Sequence, residues 1–237
     1  MKNYVLIPIV LISVAVSWFI WNNSPEYIKQ GGPLLIVGLT CLFLVFTFAI
    51  ERLVVLWRAG GRGSVDAFVR NLRSAVTGGD IPAAVEVCKR QGGSLANVVG
   101  AGLSRYAKLR GLRSDEALIE ETRKAIATAS ALETPHLERN LTALSTLASI
   151  ATLLGLLGTT IGMIRSFHAM SRAGAPDATQ LALGISEALV NTALGLTTAI
   201  LGTFLYNYFS TRVEAFYGRT EETAFEVVEL LEQKQGA

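Results

Sequence analysis

Hydrophobic and polar positions follow two different rhythms along this chain. Leu141 to Ile164 and Ala188 to Thr211 are uncharged and almost continuously apolar, whereas Leu118, Ile119, Thr122, Ile126, Ala129 and Leu132 recur at helical spacing among charged neighbours. A membrane span needs about 20 apolar residues to cross roughly 30 Å of hydrocarbon, and a polar group within it must find a partner other than lipid. Thr142, Ser145, Thr146, Ser149, Thr152, Thr159, Glu187, Asn191, Thr192 and Thr198 are therefore expected to face protein or water. Polar groups on selected faces of two spans point to an ion path.

Two further apolar stretches precede this pair: Tyr4 to Trp21, and Leu34 to Ile50 running on through Leu53 to Trp57. The pattern predicts an all-α integral membrane helical bundle, with three core spans, an extra amino-terminal span and long helices extending into a soluble domain. Breaks are expected at Gly60 to Gly63, Gly78 to Pro82, Gly92 to Gly93 and Gly111, and a helix start at Ser114-Asp115-Glu116. In the tail, Ala215, Phe216, Ala224, Phe225, Val227, Val228, Leu230 and Leu231 interleave with Glu221, Glu222, Glu226, Glu229 and Glu232, an amphipathic helical pattern. Solvated charge on a bundle helix is the reading of those glutamates.

Charge placement orients the spans. Residues 52–139 hold 14 Lys or Arg, whereas Asn22 to Pro33 holds only Lys29. By the positive-inside rule the long segment and the tail from Arg212 are cytoplasmic, and the loop carrying Arg172 and Asp177 lies outside. The first stretch follows Lys2 and reads as a retained anchor or as a secretory signal; the bulky Val16 to Trp21 favours the anchor. The expected layout is an anchor or signal with a short external link (1–33), a transmembrane helix (34–57), a cytoplasmic helical domain (58–139), a pore-lining span (140–168), an external loop (169–182), a second pore-lining span (183–211) and a cytoplasmic helical tail (212–237).

Composition narrows the chemistry. Charged residues make up 17% of the chain, mean hydropathy is +0.42 and net charge is +2, which suits a membrane class and gives no argument for nucleic acid. Cys41 and Cys88 lack a CxxC or His-rich context, and His136 and His168 sit at opposite ends of a span with no carboxylate cluster. No cofactor, no metal and no enzymatic site is expected. Glu187 is the sole carboxylate near the two spans. Either it supports structure at the outer interface or it takes part in the ion path, with Arg165 and Arg172 as candidate partners and Asn191 one turn on as a hydrogen-bond donor. Gly155, Gly158 and Gly162, with Gly184, Ala188, Gly195, Ala199 and Gly202, form small-residue strips for close helix packing.

Leu154-Gly155-Leu156-Leu157-Gly158-Thr159-Thr160-Ile161-Gly162-Met163-Ile164-Arg165-Ser166-Phe167 is similar to the LLGLLGTVxGMIxxF block of the MotA/TolQ/ExbB proton-channel family. Gly184-Ile185-Ser186-Glu187-Ala188-Leu189-Val190-Asn191-Thr192-Ala193-Leu194-Gly195-Leu196-Thr197-Thr198-Ala199-Ile200, continuing to Tyr206-Asn207, resembles its GIxEALxxTAxGLxxAIPxxxxYN block. The ExbB/TolQ branch matches better than the flagellar stators. The resemblance implies a homopentameric subunit of the bacterial inner membrane whose last two spans line a pore around single-span ExbD/TolR-like partners carrying a protonatable aspartate. It implies proton-driven force passed across the periplasm to a TonB/TolA-like client.

On that resemblance Thr159 and Thr192 are pore-facing and Glu187 is the acidic residue opening the last span; Asn191, Thr152 and Thr198, polar residues of the same two spans, are expected in the path on their own pattern. A hydroxyl both donates and accepts, so it solvates a carboxylate in either protonation state or a hydrated cation. Two departures stand out: Leu201 replaces the family's proline, and Asn191 replaces a small apolar residue. A non-conducting scaffold and a sodium-driven stator-like subunit are the alternatives.

Overall fold

The computed structural model describes residues 3–172 and 178–235. The described residues are almost entirely helical: α1 (Asn3–Asn23), α2 (Glu26–Lys29), α3 (Gly32–Ala59), α4 (Val65–Gly78), α5 (Ile81–Gln91), α6 (Gly93–Leu109), α7 (Asp115–Glu138), α8 (Leu141–Arg172) and α9 (Ala178–Gln235). Three of these, α3, α8 and α9, carry stretches long and apolar enough to cross a membrane, and α1 contributes the shorter apolar segment Ile7–Asn23. The chain divides into two compact units. One comprises Met1–Glu51 with Asn140–Tyr208, the other Arg52–Arg139 with Phe209–Ala237.

The second unit is built like a soluble bundle. Phe68, Leu72 and Val76 of α4, Ile81, Ala84 and Cys88 of α5, Leu95, Val99 and Leu103 of α6, Leu118 and Ile119 of α7, and Val227, Val228 and Leu231 of α9 form one buried cluster. Burying each large side chain stabilises by about 1.5–3 kcal/mol before entropy is subtracted. Every helix break expected from glycine is a helix end here. Asp80 caps α5, its Oδ1 accepting from the Ala83 amide at 2.9 Å, and Pro82 sits in the first turn where no hydrogen bond is lost. Gly61 (φ 74°) and Gly93 (φ 79°) lie against each other, and a Cβ on Gly61 would stand 2.3 Å from the Gly92 carbonyl oxygen. Only glycine satisfies both the positive φ and that approach.

Arg52 is 1% exposed in this unit, and its Nη1 donates to the carbonyls of Leu137 at 2.9 Å and His136 at 3.4 Å. These carbonyls end α7, where no intrahelical donor remains, and a cation also suits the negative pole of the helix. Leu132 departs from the expected buried stripe of α7 and is 68% exposed.

In the first unit α8 and α9 form an antiparallel pair. Helix also takes up 169–172 and 178–182, part of the segment expected as an external loop. Ala169, Met170, Gln180 and Leu181 are good helix formers, so the spans extend past their apolar limits. Across the expected boundary between the last span and the helical tail at 211/212, α9 runs on as one helix of 58 residues.

Candidate functional site

Small residues set the spacing of α8 and α9. A Cβ on Gly162 would stand 2.5 Å from the Gly184 carbonyl oxygen and 2.8 Å from the Ala188 Cβ; on Gly195, 2.6 Å from the Ala151 carbonyl oxygen. Gly155 faces Gly195 and Thr192, Gly158 faces Asn191, and Gly202 faces Ala148. Backbones at this separation leave no room for intervening side chains.

Four threonine hydroxyls along this pair turn back on their own helices. Thr152 donates to the Ala148 carbonyl at 3.2 Å, Thr159 to Leu156 at 2.7 Å, Thr198 to Leu194 at 2.8 Å and Thr192 to Ala188 at 2.9 Å, with the Gly155 carbonyl of α8 also 3.2 Å from Thr192. Each hydroxyl proton is engaged, while the oxygen lone pairs remain free to accept. Thr198 is fully buried, Thr159 and Thr192 are half-buried, and Thr152 is exposed.

Glu187 is 5% exposed. Arg165 Nη1 reaches its two carboxylate oxygens at 2.5 and 2.6 Å. The side chain of Arg172 and the whole of Asp177, the other candidate ion groups on that side, lie outside the described residues. Asn191 does not reach the Glu187 carboxylate as expected from their spacing. Its Nδ2 donates instead to the Glu187 backbone carbonyl at 2.9 Å and to the Gly31 carbonyl at 2.8 Å, because the backbone carbonyl four residues back lies within reach of a short helical side chain. Sequence reasoning missed the link segment: Ser186 Oγ donates to Gln30 Oε1 at 2.5 Å. The Gly31-Gly32 pair was its only local signal. Among the described residues no group of three His, Cys, Asp or Glu is placed to hold a metal.

Residues 93–222, more than half of the chain, match the MotA/TolQ/ExbB proton channel family. The chain belongs to that family. Over 116 residues it is 37% identical to the Tol-Pal system protein TolQ of Haemophilus influenzae, covering 48% of this chain and about half (51%) of that protein. Over 214 residues it is 29% identical to the Tol-Pal system protein TolQ of Pseudomonas aeruginosa, covering 84% of this chain and 89% of the relative. It is 24% identical over 218 residues to the biopolymer transport protein ExbB of Pseudomonas putida, covering 90% of this chain and 63% of the other. The ExbB/TolQ branch expected from the two motif blocks is thereby supported, and with it a multi-pass membrane protein of a proton-channel family.

Proposed function

We propose that this chain is the channel subunit of an ExbB/TolQ-type motor in the bacterial inner membrane. With a single-span ExbD/TolR-like partner it converts ion flow, proton flow first of all, into mechanical work on the cell envelope. The observation that carries this is a polar wall that holds no carboxylate. Leu141 to Ile164 and Ala188 to Thr211 contain hydroxyls but no carboxylate, and Glu187 at their margin is held by Arg165. The group that gains and loses the proton then comes from another chain, while α8 and α9 supply oxygens along its path. This is transport, not bond chemistry.

The relatives' names, a Tol-Pal system protein and a biopolymer transport protein, support an output passed to a TonB/TolA-like client. The basic segment at 52–139 supports a cytoplasmic placement for it and for the carboxyl terminus. Family resemblance supports five copies around the partner helices. Thr159, Thr192, Thr152, Thr198, Glu187 and Asn191 are the residues assigned to the path or its margin.

Proteoliposomes holding the subunit and its single-span partner, given a pH gradient, test this reading. Flux that needs the partner and is lost in Thr159→Val and Thr192→Val supports it; unchanged flux in both variants defeats the assignment. A non-conducting scaffold is the second reading, favoured by hydroxyls bonded back to their own helices and by Leu201 in place of the proline. It predicts assembly without flux under either a proton or a sodium gradient.

A further inference from the structure

Gln30 and Gly31 join α2 to Gly32, the first residue of α3, and α9 grips all three. Ser186 holds the Gln30 side chain, and Asn191 holds the Gly31 carbonyl at 2.8 Å. Gly32, at φ 66°, is pressed so close to Glu187 that an added Cβ would lie 2.7 Å from its Oε1. The backbone of the link thus covers the carboxylate on one side while Arg165 neutralises it.

Asn191 is 5% exposed, and both protons of its amide are committed, one to Gly31 and one to the Glu187 carbonyl. It fits because α8 presents Gly158, where a Cβ would come 2.3 Å from the Asn191 Cβ. Burying an amide is unfavourable unless its hydrogen bonds are made. The bond to Gly31 is the one that reaches outside its own helix, so it is the contact a shorter or apolar side chain loses.

We propose that Asn191 is a positioning residue that pins the Gly31-Gly32 link over Glu187, keeping that carboxylate dry and committed to Arg165. The inference rests on the reading of α8 and α9 as the wall of an ion path, since it assigns Asn191 to holding the margin of that path closed.

The test is carboxylate labelling with a water-soluble carbodiimide and a small amine on the full assembled complex, followed by peptide mapping, with exposed Glu222 as internal standard. Native Glu187 should label far more slowly than Glu222. Asn191→Leu, which keeps the volume but donates nothing, should raise the Glu187 rate about tenfold, the scale of one lost buried hydrogen bond. Asn191→Ser keeps the bond within its own helix but is too short for Gly31, and should do the same if the leucine variant fails to assemble. Protection as complete as native in the leucine variant, or in the serine variant where only that one assembles, overturns the proposal and leaves packing as the role of Asn191. Labelling does not depend on conduction: a labelled variant beside a native complex without flux would defeat the channel reading alone, and flux with unchanged labelling would defeat this inference alone.

Discussion

Arg165 and Glu187, 22 positions apart, tie α8 to α9 through a guanidinium nitrogen within 2.6 Å of both carboxylate oxygens. The arginine side chain is 55% exposed and the glutamate side chain 7%, so the two partners respond differently to removal. Arg165→Gln strands a buried carboxylate and should destabilise by about 1–3 kcal/mol, discounted for the open arginine end. Glu187→Gln leaves an uncharged amide and a solvated arginine and should cost less. Thermal unfolding of the two variants in detergent checks the order; equal losses would show that the pair acts only through packing.

Helix glycines divide into two kinds. Gly162→Ala drives a methyl group into the Gly184 carbonyl and Ala188, and should destabilise by about 1–3 kcal/mol through overpacking. Gly218 lies within α9 with nothing inside 4 Å of an added Cβ. Gly218→Ala should stabilise by about 0.5–1 kcal/mol by removing backbone freedom from the unfolded chain. Denaturation midpoints of the two variants should move in opposite directions.

Cys88 is buried among the apolar side chains of α4 to α6, and burial pushes its thiol up to about 12. At about pH 8 an ordinary thiol is partly thiolate and reacts with maleimides, so Cys88 should be inert in the folded protein and react as the second unit melts. Alkylation measured against temperature should follow the unfolding curve. Fast labelling of folded protein would contradict the burial.

Glu121 is held below the usual carboxylate range chiefly by a hydrogen bond from Arg105, with the guanidinium charge adding to it. A lowered folded-state value means that this contribution is present above the unfolded value and is lost as pH falls through the folded one. Acid titration of stability should therefore be shallower in Glu121→Gln than in the native protein. The difference should shrink in high salt, because the pair lies at the surface.

Helix ends and spans were legible in the sequence because local chemistry determines them. Gly60 to Gly63, Gly92-Gly93 and Asp80-Ile81-Pro82 break or start helices whatever surrounds them, and an uncharged run at 141–164 has few other uses. The motif blocks around Gly158 and Glu187 likewise made the family readable. Contacts between distant residues were not. The Asn191 to Gly31 bond joins positions 160 apart, and Arg52, at the end of an apolar run, looks like an interfacial charge until α7 brings the carbonyls of His136 and Leu137 to it. Glu187 had two readings because its pairing with Arg165 depends on how α8 packs against α9.

The inward turn of the threonine hydroxyls has a consequence for selectivity. An oxygen whose proton is already given to a carbonyl of its own helix is a Lewis base toward anything beside it. A wall of such oxygens welcomes a species that brings a proton or positive charge and gives no donor to a bare anion. Along the proposed path, such oxygens would disfavour chloride and hydroxide as a class and treat hydronium and small metal cations alike. On the proposed reading, telling one cation from another would fall to an acid supplied by the partner chain.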